Sequence, residues 1–139
     1  MSNDFNRFLD TPTDPNQLSP LTLAFIGDCV YEMFVREALV TEANRPGNEL
    51  HTKKVKYVSA TAQANAYKQI KDSLTEKEEE IFKRGRNAHT NHTPKNMSSA
   101  DYHAATGFET LFGYLYLKGE ITRLRELFHL IWKDGDKNS

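Results

Sequence analysis

Apolar residues recur along this chain with the period of an α-helix, and no stretch alternates strictly as a half-buried strand would. Five helical stretches are predicted: 21–36 continuing to about residue 40, 49–74 with a kink near residue 59, 76–85, 101–118 and 121–132. The first and the fourth are apolar around most of a helical projection, which is typical of fully buried helices. The pattern therefore predicts an all-α protein with the first helix at its centre.

Local signals place the ends of several of these helices. Ser19 followed by Pro20 provides an N-cap and a first-turn proline for the first helix. Thr75 and Glu78 have the spacing of a capping box, which predicts the start of the third stretch. Gly119 is placed to end the fourth stretch. The predicted domain covers 19–133, with a polar lead-in over 1–18 and a polar tail over 134–139.

Composition limits the classes of function. The 139 residues include 18 basic and 19 acidic side chains, so any polyanionic partner must be bound by a local patch rather than by the overall charge. The single cysteine, Cys29, excludes an internal disulfide framework and a multi-thiolate metal site, and it is predicted to be a small buried hydrophobe. No apolar run approaches the length of a membrane span. We therefore expect a soluble, cytoplasmic protein.

Each of the two most apolar helices carries an isolated acid beside a glycine. Asp28 follows Gly27, and Glu109 lies one helical turn before Gly113. Two carboxylates on facing helices could hold a hard cation, Mg2+ or Mn2+, for phosphodiester hydrolysis. The residues alone do not establish that the two helices face each other. Asp28 also begins an i,i+4 series with Glu32 and Arg36, which equally describes a solvated stripe with an ordinary ion pair.

Two segments lack acidic residues and are rich in basic ones, which indicates local positive surfaces suited to a sugar–phosphate chain. The candidate RNA-binding residues are Lys53, Lys54, Lys56, Lys83, Arg84, Arg86, His89, His92 and Lys95. Solvation alone is the alternative explanation for such faces. The H-x-x-H pair of the second segment could also suggest a metal site, but no third ligand lies near it in the sequence.

Two segments resemble the motifs of the ribonuclease III family. LAFIGDCVYEMFVR resembles the signature helix of that family, and TGFETLFGYLYL resembles its second motif, F-E-A-L-I-G-x-x-Y. LHTKKVKYVSATAQA and KRGRNAHTNHTPKN, between them, look like the short bacterial Mini-III form, which lacks an appended double-stranded-RNA-binding domain. The resemblance covers about residues 18 to 132, and both motifs occur in the family's order.

The resemblance implies a fold and a chemistry. It implies the helical ribonuclease III catalytic domain as a symmetric homodimer, with Asp28 and Glu109 as catalytic residues and ligands of Mg2+ or Mn2+. The implied reaction is endonucleolytic cleavage of double-stranded RNA, leaving a 5′ phosphate and a 3′ hydroxyl. The implied substrate is precursor of large-subunit ribosomal RNA, with help from a large-subunit ribosomal protein.

The chain departs from the family pattern at two positions. Ala24 and Thr106 occupy positions that are acidic in full-length ribonuclease III, so the acid cluster is halved. Asp101 and Glu32 are candidate substitutes. The halved cluster leaves open a second hypothesis, a non-catalytic module that binds structured RNA. A third hypothesis is a helical interaction domain whose two acids are satisfied by buried hydrogen bonds.

Overall fold

The computed structural model describes residues 6–88 and 98–132, and within these ranges every regular element is helical. The α-helices are α1 (Pro20–Glu42), α2 (Gly47–Val58), α3 (Ala60–Ile70), α4 (Glu76–Arg86), α5 (Ser99–Leu117) and α6 (Ile121–Ile131). Short 3-10 turns cover Pro15–Gln17 and Lys71–Ser73. The prediction of an all-α fold is thus confirmed. In the described ranges, none of these helices has the length and apolarity needed to cross a bilayer.

The predicted capping signals produce the observed helix ends. The Ser19 side chain accepts a hydrogen bond from the Thr22 N–H at the start of α1. Both halves of the capping box between Thr75 and Glu78 are present. Ser59 caps α3, so the kink predicted near residue 59 is the junction of α2 and α3. Gly119 follows α5 with a φ of 79°, a left-handed conformation that glycine adopts without steric cost.

The central element is α5 rather than α1. Eleven of the twelve residues of α5 from Ala105 to Tyr116 are buried, and the helix packs against α1, α3, α4 and α6. Tyr31 of α1 inserts edge-on between Phe108 and Phe112, with ring centroids 4.8 and 5.4 Å apart. The prediction that α1 occupies the centre is wrong, because an apolar circumference does not reveal which of two such helices is surrounded.

One face of α1 remains open in the single chain. Leu21, Phe25 and Met33 are exposed, with 85% of Phe25 accessible to solvent. Cys29 lies on the same side and is exposed too, so its predicted burial is wrong. The neighbours of α1 are α2, α4, α5 and α6, and they leave Leu21, Phe25 and Met33 exposed. We call the apolar residues of this open face the α1 stripe; they are Leu21, Phe25 and Met33.

Candidate active site

The site is organised by a close crossing of α1 and α5. A Cβ added at Gly27 would lie 1.7 Å from the backbone oxygen of Glu109, and one added at Gly113 would lie 2.0 Å from the backbone oxygen of Leu23. Only glycine allows the two backbones to come this close. The backbone of α5 therefore passes directly against Gly27, and this approach brings Asp28 beside Glu109.

Asp28 and Glu109 form a pair of acids within hydrogen-bonding distance of each other. The Asp28 side chain lies at the surface, whereas Glu109 is partly buried. Burial, together with the negative charge of Asp28, raises the pKa of Glu109 to about 8. Two carboxylates held together in this way repel each other when both are ionised, and a bound cation would remove that repulsion.

A third polar side chain completes the pair. Gln63 of α3 is only 2% exposed, and its side-chain amide lies beside the Glu109 carboxylate, where it favours the ionised form and opposes the rise in the Glu109 pKa. Gln63 is not among the residues predicted from the sequence. The sequence does contain a signal for its burial. Gln63 lies three residues before Ala66 and seven before Ile70, and it therefore shares the buried face of α3 with them.

Among the described residues, no further acid joins Asp28 and Glu109. Ala24 and Thr106 are both buried at the crossing, and the Thr106 hydroxyl donates to the Tyr102 carbonyl of its own helix. Among residues 6–88 and 98–132, no group of three or more histidine, cysteine or acidic side chains is placed to hold a metal ion. The candidate centre therefore has two carboxylates, as the halved motif predicts.

The two candidate substitute ligands do not join the pair. The Glu32 carboxylate is bound by Arg36 at 2.7 Å and by Lys54 at 3.6 Å, so its charge is already compensated. The i,i+4 ion pair considered from the sequence thus exists, but it engages Glu32 and not Asp28. Asp101 lies in the first turn of α5, and eight residues of helix place it about 12 Å along the axis from Glu109.

The first predicted basic segment lies on α2 near this centre. Lys54 is largely covered, and its ammonium lies 3.6 Å from a Glu32 carboxylate oxygen. Lys53 is partly buried and Lys56 is exposed, with the Lys56 ammonium 5.5 Å from the ring centroid of Tyr57. The RNA-binding role of these three lysines stays a prediction.

The second basic segment lies mainly on α4. Lys83, Arg84 and Arg86 are exposed, and the first two line a groove between α3 and α4 that Glu79 and Glu80 also line. This groove has mixed charge, and the RNA-binding role of its cations stays a prediction. The remaining candidates of this segment, His89, His92 and Lys95, lie outside the described residues, as does the H-x-x-H pair.

Comparison with known proteins places this geometry in a family. The ribonuclease III domain family matches residues 21–120, a range that contains both Asp28 and Glu109. A Mini-ribonuclease 3 from Thermoanaerobacter is 52% identical over 113 residues, covering 81% of this chain and 80% of the relative. A Mini-ribonuclease 3 from Enterococcus faecalis is 43% identical over 128 residues, covering 90% of this chain and 97% of the relative.

A solved structure agrees with the sequence comparisons. The crystal structure of a protein from Fusobacterium nucleatum superposes with a TM-score of 0.78 at 27% identity, covering 88% of this chain and 98% of that protein. The fold, the order of the two acidic motifs and the matched length are therefore mutually consistent. The chain belongs to the ribonuclease III family.

Proposed function

We propose that the protein is a divalent-metal-dependent endoribonuclease that cleaves double-stranded RNA and leaves a 5′ phosphate and a 3′ hydroxyl. The observation that carries this proposal is the contact between Asp28 and Glu109 at the glycine-lined crossing of α1 and α5. Family membership supports the reaction class, because ribonuclease III enzymes depend on a metal ion. The relatives called Mini-ribonuclease 3 support it further.

The donor set fits Mg2+, with Mn2+ as the alternative ion. Oxygen ligands select hard cations, and Mg2+ in particular is commonly held by one or two carboxylates while it keeps several waters and binds substrate phosphates. The raised pKa of Glu109 supports this fit, because burial and the charge of Asp28 both disfavour its ionised form, whereas a bound cation would favour it. Asp28 and Glu109 would hold the ion, which when bound lowers the pKa of water and stabilises charge on phosphate oxygens.

The chain's own residues define where RNA would lie. Asp28 opens to solvent while Glu109 is partly buried, so substrate would approach from the Asp28 side. Lys53 and Lys56 of α2, together with Lys83, Arg84 and Arg86 of α4, would contact phosphates, which suits duplex RNA because its shape and backbone are recognised more than its base edges. Weak, strongly salt-dependent binding is expected from a chain with net charge −1.

The α1 stripe supports the proposed homodimer. Its residues Leu21, Phe25 and Met33 recur at intervals of four or eight along α1 and form one apolar line beside the exposed Asp28. A second copy packed on this line would bury it and place two active centres near one duplex.

Phe25→Arg should yield monomers in light scattering, whereas Leu130→Arg, at an exposed apolar position on α6, should remain dimeric. A dimeric Phe25→Arg would exclude this interface.

The resemblance to the Mini-III form implies a natural substrate. We propose precursor of large-subunit ribosomal RNA, cleaved in the cytoplasm, with a large-subunit ribosomal protein helping to hold the RNA. The weak binding expected for bare duplex RNA is the reason for proposing such a partner. The halved acid cluster favours one alternative, a module that binds structured RNA without cutting it.

Cleavage of a long RNA duplex tests the proposal directly. The wild type should cut with Mg2+ and stop with EDTA. Asp28→Asn should lose more than about 100-fold in rate, because even changes to groups around a metal's ligands cost 10- to 100-fold. Asp72→Asn is the matched control, since Asp72 is an exposed aspartate in the turn after α3 and should leave the rate unchanged. RNA retention without cleavage in Mg2+ or Mn2+ would instead favour the binding module.

A further inference from the structure

Gln63 is a buried amide beside the candidate metal centre. It lies in α3, is 2% exposed and has two alanines as its chain neighbours. A buried amide has four hydrogen-bonding positions to satisfy, and leaving one unpaired costs about 1–3 kcal/mol. The placement of Gln63 in an otherwise apolar face therefore requires a reason.

The nitrogen of this amide has a backbone partner. Nε2 donates to the Val58 carbonyl at 3.0 Å, which satisfies a backbone acceptor at the end of α2. The same side chain lies beside the Glu109 carboxylate and lowers the pKa of that acid. The Val58 contact fixes the orientation of the amide, because the flipped form would place two acceptor oxygens against each other.

The oxygen of the same Gln63 amide has no hydrogen-bond partner. Within the described residues, Gln63 Oε1 is the one buried side-chain polar atom without a hydrogen-bond partner. It belongs to the amide beside Glu109, so a donor placed between this oxygen and the carboxylate would satisfy it. Water carried by a cation held by Asp28 and Glu109 would be such a donor.

We propose that Gln63 is a positioning residue of the metal centre: its amide N–H orients Glu109, and its Oε1 accepts a hydrogen bond from ion-bound water. This inference rests on the proposed function. Groups that orient a metal's ligands typically contribute 10- to 100-fold to affinity for the ion. Gln63 would therefore compensate in part for the acids that Ala24 and Thr106 replace.

A purely structural role is the competing explanation, and Ser59 provides its control. Gln63→Met keeps the length of the side chain but removes both the Glu109 contact and the bond to the Val58 carbonyl. Ser59→Ala weakens the same α2–α3 junction by removing the N-cap bond to the Ala62 N–H at 3.2 Å, without touching Glu109. A structural role predicts that both variants bind metal like the wild type and lose only stability.

The experiment is a Mn2+ titration of the RNA-free protein, with the free ion measured by electron paramagnetic resonance, alongside cleavage at increasing Mg2+. Gln63→Met should weaken Mn2+ binding about 10- to 100-fold and recover much of its rate at high Mg2+, whereas Ser59→Ala should stay within about twofold of wild type. Gln63→Asn shortens the side chain and draws the amide away from Glu109, so this variant should also bind Mn2+ more weakly. It replaces Gln63→Met in the comparison if Gln63→Met does not fold.

The outcomes separate this inference from the proposed function. Wild-type affinity in both Gln63 variants, or an equal loss in Ser59→Ala, would overturn the role of Gln63 while leaving the enzyme assignment in place. A wild-type protein that neither binds Mn2+ nor cuts duplex RNA would overturn the proposed function itself.

Discussion

Gly113→Ala tests whether the close crossing of α1 and α5 creates the site. The added Cβ would lie 2.0 Å from the Leu23 carbonyl oxygen, whereas ordinary contact begins near 3.4 Å. The helices would therefore have to separate by about 1.4 Å at this point, the difference between the two distances. The opposing atom belongs to the backbone of α1, so no side-chain rotation relieves the overlap.

The expected cost combines two opposing effects. Overpacking a well-packed core costs about 1–3 kcal/mol and sometimes more, and the rigid backbone on both sides favours the upper end. Alanine recovers about 1 kcal/mol of helix propensity relative to glycine. We therefore expect Gly113→Ala to lower the free energy of unfolding by about 2 kcal/mol. We also expect a loss of about 100-fold in cleavage, because a displacement of about 1 Å in a positioned group has this effect.

Gly47→Ala is the matched control. A Cβ at Gly47 meets nothing within 4 Å at the start of α2, so the same chemical change should raise stability by about 0.4–1 kcal/mol through the unfolded chain. Urea unfolding at one fixed protein concentration, followed by circular dichroism, compares the two variants. A Gly113→Ala protein as stable and as active as the wild type would refute the idea that backbone contact places Asp28 beside Glu109.

Two further predictions concern the Glu78–Arg123 pair. Arg123 binds both oxygens of the buried Glu78 carboxylate at 2.8 Å, so Arg123→Met should cost about 3 kcal/mol in thermal unfolding, and the exposed Arg125→Met should cost almost nothing. Equal losses would contradict this. Burial alone would raise the pKa of Glu78, but hydrogen bonds from Arg123 and the Thr75 backbone outweigh it and hold the pKa below 4.5. The pair should stabilise the fold above about pH 4.5 and lose its effect as the pH falls through the lower folded pKa, a loss that Glu78→Gln should not show in urea unfolding.

Local chemistry explains why the helices were predictable. Helical periodicity, the Ser19 and Thr75 caps and the glycine that ends α5 act within a few residues, so the chain specifies these features without its tertiary contacts. The two isolated acids were equally visible, because a charge in an apolar helix is anomalous wherever the helix lies. The family motifs then linked Asp28 to Glu109 across about eighty residues.

Burial was less predictable than helicity. Cys29 and Phe25 belong to an apolar helix yet are exposed, because α1 has neighbours on one side only in the single chain. Lys54 pairs with Glu32 on another helix, a contact that the sequence pattern did not indicate. Such outcomes depend on which elements meet, and helical periodicity carries no information about that.

The amino-acid sequence specifies the helical class, the approximate helix ends and the pair of acids suited to phosphodiester chemistry. Helix packing makes α5 the central helix, lets the two backbones touch at Gly27 and Gly113, and brings Gln63 of a third helix beside Glu109. Caps and periodicity are predictable because they act over one or two helical turns. The site is not, because its residues lie far apart in the chain and meet only when the helices pack.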